Sequence, residues 1–197
     1  MLQVMNKVIL IIITLIILYF GFIQIKTWYS SIYIKSNIDN RYYLVRNVNS
    51  IYNQQAADTL AIINANNQKL INYLKTIDNG EYQTNINLLI FRYNPETLME
   101  NILQHDTSFT INKGEKVEFC LDDRKGHDKI HDINTLMYTD LHELGHTASI
   151  TNGHNTEFKR NFAYLLRKAI EIGIYKYVDY SNNPTMFCGM EIKNNII

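Results

Sequence analysis

His142-Glu143-Leu144-Gly145-His146 is the stretch from which the fold can be read. On a helix of 3.6 residues per turn, positions i and i+4 lie about 40° apart, so both imidazoles can meet one ion. Glu143 then projects about 100° from His142 and about 60° from His146, within reach of a water on that ion. Two histidines so spaced around a glutamate are the zinc-binding core of a hydrolytic helix. Gly145 costs such a helix about 1 kcal/mol against alanine, which is tolerable where bare backbone beside a metal is useful.

The flanking sequence agrees with a helix over 132–150. Asp132 can cap it, and Ile133, Leu136, Met137, Leu141, Leu144 and Ala148 form an apolar stripe at helical spacing. Thr135, Tyr138, Thr139, His142, His146 and Ser149 fall on the other side, so the histidines point away from the core. The pattern fails at Thr151-Asn152-Gly153, a turn signal, and His154 follows at once. A hydrolytic zinc site takes three protein ligands and leaves one position for water. His154 is the expected third ligand, with Glu157 and Glu171 as competing oxygen ligands. The alternative is a surface helix with solvated histidines, but a glutamate at that one position is what metal-assisted hydrolysis requires.

Together with Gly153-His154-Asn155-Thr156-Glu157-Phe158, the motif resembles the WLM family of zinc metalloproteases, relatives of the SprT-like peptidases. The likeness is closest to short members of the sort found in large DNA viruses. It extends to Tyr43-Leu44-Val45-Arg46, Ala56-Ala57-Asp58 and Lys116-Val117-Glu118-Phe119-Cys120-Leu121 before the helix. After it come Ile172-Gly173-Ile174-Tyr175, Asp179-Tyr180 and Phe187-Cys188-Gly189, so the resemblance covers roughly residues 40–192. It implies one Zn²⁺ held by His142, His146 and His154, with Glu143 as catalytic base. The spacing is not that of the metzincins, because seven residues separate His146 from His154.

Better-known WLM proteins are soluble, and this chain departs from them at its start. Residues 8–25 carry no charge and as a helix would span about 27 Å, close to the roughly 30 Å hydrocarbon core of a bilayer. Lys7 and Lys26 bracket the run, with Tyr19, Trp28 and Tyr29 suited to the interfaces. A cleaved signal peptide is the alternative, but no small-x-small site follows the apolar run. The expected organisation is an anchor at 1–26, a juxtamembrane linker at 27–39, and a metallopeptidase domain at 40–197. Lys26, Lys35 and Arg41 favour a cytoplasmic domain by the positive-inside rule. Asn183-Pro184-Thr185 is the sole Asn-x-Ser/Thr match, and its proline forbids glycosylation.

Lysine plus arginine and aspartate plus glutamate each total 19, for a net charge of +0. That balance gives no sign of a nucleic-acid partner; a protein or peptide substrate and a membrane are the partners expected. Cys120 and Cys188 are expected as buried thiols, since a disulfide needs an oxidising compartment; Cys188 as an inhibitory zinc ligand is a further alternative.

The fold class expected is α+β: a zincin-like metallopeptidase with a small sheet, a central HExxH helix and an N-terminal transmembrane helix. Helices are predicted over 50–74, 84–93, 96–104 and 157–172. Residues 41–46 are predicted as a first strand or a helix entry, and strands at 107–111, 115–121 and 185–192, the first two of these forming a hairpin across Asn112-Lys113-Gly114. Val117 to Leu121 is the candidate edge for an extended substrate, and Tyr175, Tyr177 and Tyr180 are candidate oxyanion donors. The function these features point to is hydrolysis of peptide bonds by a metal-activated water. The alternative is a membrane-tethered zinc module without catalysis.

Overall fold

The computed structural model describes residues 2–102, 107–123 and 129–197. Helix α1 runs from Leu2 to Tyr29 and is long and apolar enough to cross a membrane. Thr14 and Thr27 turn their hydroxyls back onto the carbonyls of Leu10 and Ile23, at 2.9 Å each, so the polar groups are satisfied within the helix.

Residues 27–39 are not a free linker. The helix reaches Tyr29, Ser30 donates its N–H to Lys26, and strand β1 (Ser31–Lys35) begins immediately. It pairs antiparallel with β2 (Tyr42–Arg46), from Ser31 opposite Arg46 to Lys35 opposite Tyr42. Asp58 clamps the connecting turn, accepting from the Ser36 hydroxyl at 2.8 Å and the Asn37 N–H at 2.7 Å. The alternation that marks β1 is weak because Ile32, on the face opposite Tyr33 and Lys35, is exposed as they are.

Helix α2 (Ser50–Leu74) has the bounds predicted for it, capped by the Asn49 side chain, and its buried alanines let β2 lie close. Helix α3 (Gln83–Arg92) follows a short 3-10 turn. The helix expected over 96–104 does not form across its described residues. Pro95–Thr97 is a 3-10 turn capped by Asn94, and Leu98–Glu100 is strand β3; Gln104 lies outside the described residues. The reason is tertiary. The buried Glu100 carboxylate receives the Arg46 N–H at 2.8 Å and its guanidinium at 2.6 Å, which an extended backbone at 98–100 delivers.

Strands β4 (Phe109–Ile111) and β5 (Lys116–Phe119) form the predicted hairpin. The turn takes left-handed backbone at Asn112, Lys113 and Gly114. The sheet order is β3-β5-β4, with β3 parallel to β5. Of the charged loop expected at 122–128, residues 124–128 lie outside the described residues; Asp122 is buried and salt-bridges Arg46.

Helix α4 (Ile133–Ala148) packs against α5 (Thr156–Glu171). They pack tightly at Gly145, where an added Cβ would stand 3.2 Å from both Phe158 Cε2 and Phe162 Cβ. The bare backbone of Gly145 therefore serves helix packing, not the metal side of α4. The last predicted strand is instead a hairpin, β6 (Thr185–Phe187) and β7 (Met190–Ile192). Its two-residue loop is Cys188-Gly189, with φ of 51° and 81°, as the tight primed turns of hairpins require. Cys188 is disulfide-bonded to Cys120, so the expectation of two free thiols is overturned, and with it the inhibitory thiolate.

Candidate metal centre

Asp132 caps α4, accepting from the Thr135 N–H at 3.0 Å and its hydroxyl at 2.6 Å. From that fixed start His142 and His146 emerge on one face. Phe158 of α5 stacks on the His146 ring at 4.2 Å and meets His142 edge-on at 4.8 Å, which restricts both rings.

The third histidine depends on a turn held from three sides. Arg92 donates to the carbonyls of Thr147 and Ser149 at 2.8 and 2.9 Å. Lys113 donates to those of Ser149 and Thr151 at 2.9 and 2.8 Å. Two cations thus meet the carbonyl end of α4, where the helix dipole favours them. Glu157 accepts from the N–H groups of Ile150 and Thr151 at 2.7 and 3.0 Å and from Asn85 at 2.8 Å. Gly153, at φ 80°, then turns the chain so that His154 faces back.

The three Nε2 atoms stand 3.3 Å (His142–His146), 3.1 Å (His146–His154) and 3.0 Å (His142–His154) apart. Ligand nitrogens at about 2.0–2.1 Å from a tetrahedral zinc are about 3.3 Å from one another, so the donor set fits such an ion. Burial, and then the neighbouring imidazoles, push His142 down to about 3. Burial, then His154 and Lys113, push His146 down to about 4. Both rings are neutral at pH 7, the form that binds metal. The competing oxygen ligands are occupied elsewhere: Glu157 in the turn, and Glu171 exposed beside Tyr73 and Lys168.

Glu143 is buried and lines the same cleft as the histidines. Burial, and then the charge of Asp140, push its carboxyl up to about 8, while a hydrogen bond from the Thr110 backbone opposes the shift. The cleft has a volume of about 800 Å³. One wall is β4 and its turn, through Phe109, Thr110 and Lys113; the other is the β6–β7 hairpin, through Phe187, Met190 and Ile192.

No protein-family model matches the chain, and no solved structure does. An uncharacterised protein of Acanthamoeba polyphaga mimivirus is 37% identical over 179 residues, covering 89% of this chain and 89% of that protein. The chain belongs to that protein's family. An uncharacterised protein of Invertebrate iridescent virus 6 is 38% identical over 69 residues, 34% of this chain and 38% of its own length.

Two expectations about the surroundings of the site change. Strand β5 lies between β3 and β4, so Val117 to Leu121 offers no free edge; the edge at the cleft is β4. Tyr175 and Tyr180 are buried and Tyr177 is exposed, and none of them lines the cleft. Tyr138 does, one turn before His142 and in ring contact with Tyr175 and Tyr180. Its place on the polar side of the α4 pattern was the available signal. Lys113, the residue sequence reasoning passed over, sits in a turn, and nothing local marks it as a strap for residues 149–151.

Proposed function

We propose that the protein is a zinc-dependent metallopeptidase of the HExxH type, resembling WLM-type enzymes with a zincin-like arrangement, and anchored to a membrane by α1. The observation that carries this reading is the placement of Glu143 in one cleft with three converging imidazole nitrogens. His142, His146 and His154 would hold the ion. When bound, Zn²⁺ supplies Lewis acidity, lowering the pKa of water from 15.7 toward about 7 and polarising a carbonyl.

The chain's own groups provide the rest. Glu143, in the cleft beside the three histidines, accepts a proton from the attacking water and returns it to the departing amine nitrogen. The cleft-facing edge of β4 holds an extended peptide by main-chain hydrogen bonds, apart from Thr110, whose backbone steadies Glu143. A non-catalytic zinc module closes its fourth position with a protein ligand. Among the described residues the histidine group has three members, which favours the catalytic reading.

Metal analysis of the full-length protein in detergent, with a peptide-library digest and Glu143→Gln as control, tests the proposal. One zinc per chain, cleavage by the wild type, and zinc without cleavage in the variant are expected. Cleavage by the Glu143→Gln protein, or zinc binding with no cleavage of any peptide, would refute it.

A further inference from the structure

The β6–β7 hairpin is too small to stand alone. Two strands of three residues each lack the contacts that make a ribbon stable in water. It is attached at its loop by the Cys120–Cys188 bridge. The Cys188 N–H also faces His131 Nε2 at 3.3 Å, and Phe187 lies against the His131 ring at 5.0 Å. Beyond β7 the chain returns to the body, where Tyr138 donates to the Asn194 carbonyl at 3.3 Å and the Asn195 side chain accepts from Tyr180 at 2.8 Å.

That attachment presents apolar side chains to the cleft. Phe187 is buried as a base, Ile192 is half-buried, and Met190 is 59% exposed at the rim. An exposed methionine bordering a cavity is a flexible apolar surface suited to side chains of varied shape. The polar lining comes from elsewhere, chiefly the turns bearing Asn112, Lys113 and Asn152. Among the described residues of the lining, Lys113 is the charged non-histidine side chain apart from Glu143, and its ammonium is engaged by two carbonyls. Among the described residues lining the cleft, those contributed by the hairpin are all apolar.

We propose that the cleft binds an extended peptide with a bulky apolar side chain seated on Phe187, Met190 and Ile192, a subsite that the Cys120–Cys188 bridge holds in position. The proposal rests on the peptidase reading for the nature of the ligand. The bridge is a positioning element: it makes no contact with substrate but fixes the loop from which both strands of the wall depart. Its loss frees the hairpin and removes the preference without removing the metal ligands, which belong to α4 and the turn after it.

The test is binding by the zinc-loaded, full-length Glu143→Gln protein of two peptides that differ by leucine against alanine at one position. The leucine peptide is expected to bind at least about 10-fold more tightly. Adding Met190→Asp, or Cys120→Ser with Cys188→Ser, should abolish that ratio while zinc content stays at the parent level. Equal binding of the two peptides, or a ratio that survives Met190→Asp, overturns the subsite. A ratio that survives the double serine change overturns the role of the bridge. Turnover of the same peptides by the wild type separates the two readings. No turnover with the preference intact sinks the peptidase and leaves the subsite, and turnover with equal binding does the reverse.

Discussion

The Nε2 atoms of His146 and His154 stand 3.1 Å apart, although His146 belongs to α4 and His154 lies beyond its end, past a glycine turn. Bringing them together is the work of Arg92, Lys113 and Glu157, none of which is a ligand. His154→Ala should weaken zinc binding by more than the roughly 10–100-fold typical of changes in supporting residues. Competition with a chromophoric chelator measures this, and unchanged affinity would exclude His154 from the site.

Lys113→Met removes the strap on the Ser149 and Thr151 carbonyls and should weaken zinc by about 10-fold or more. Lys113→Arg should restore part of the loss. A cobalt-loaded protein reports the same change in its visible spectrum, which a purely global loss of stability would leave alone.

Glu157 carries a pH signature. Burial tends to raise its carboxyl, but the Thr151 hydroxyl, the Ile150 and Thr151 N–H groups and Asn85 outweigh it and hold the group down at about 2. A carboxylate lower in the folded state than its ordinary value of 4.5 stabilises fully above that value, and the benefit is lost as pH falls toward 2. In metal-free protein, hydrogen-exchange protection of the Ile150 and Thr151 amides should decline over that window. Glu157→Gln should show low protection throughout, with no such dependence.

At Gly145 two effects compete. Alanine would gain about 1 kcal/mol of helix propensity, but its Cβ would press on Phe162 Cβ and Cα, at 3.2 and 3.4 Å, atoms that cannot rotate aside. Overpacking of this kind costs about 1–3 kcal/mol, so Gly145→Ala should destabilise the protein on balance. Because Phe158 is stacked on His146, zinc affinity should fall as well. A chemical denaturation series with and without zinc reads both.

Arg46 joins β2, β3 and the segment after β5, bridging Glu100 and Asp122 where their side chains are 1% and 4% exposed. Arg46→Met leaves two buried carboxylates without that guanidinium and should cost about 3–5 kcal/mol. Denaturant unfolding of the detergent-solubilised chain gives the value; a loss under 1 kcal/mol would contradict the burial argument.

Much of this architecture was legible along the chain. The bounds of α2 and the Asp132 cap of α4 follow from local signals, and His154 announces itself by following Gly153. What escaped was non-local. Residues 98–100 are drawn into a strand by pairing with β5 and by Arg46. The edge role passes from β5 to β4 because β3 arrives from an earlier part of the chain. Cys120 and Cys188 lie 68 residues apart, and only the fold of the intervening segment makes them neighbours.

The junction between α1 and β1 leaves no leash. With Ser30 alone between helix and strand, hydrogen-bonded to both Lys26 and Asn47, the domain that carries the histidine cluster starts directly at the end of the helix. Whatever layer holds the helix would then fix the elevation of the cleft, and a target would be met or missed according to how far it projects from that layer.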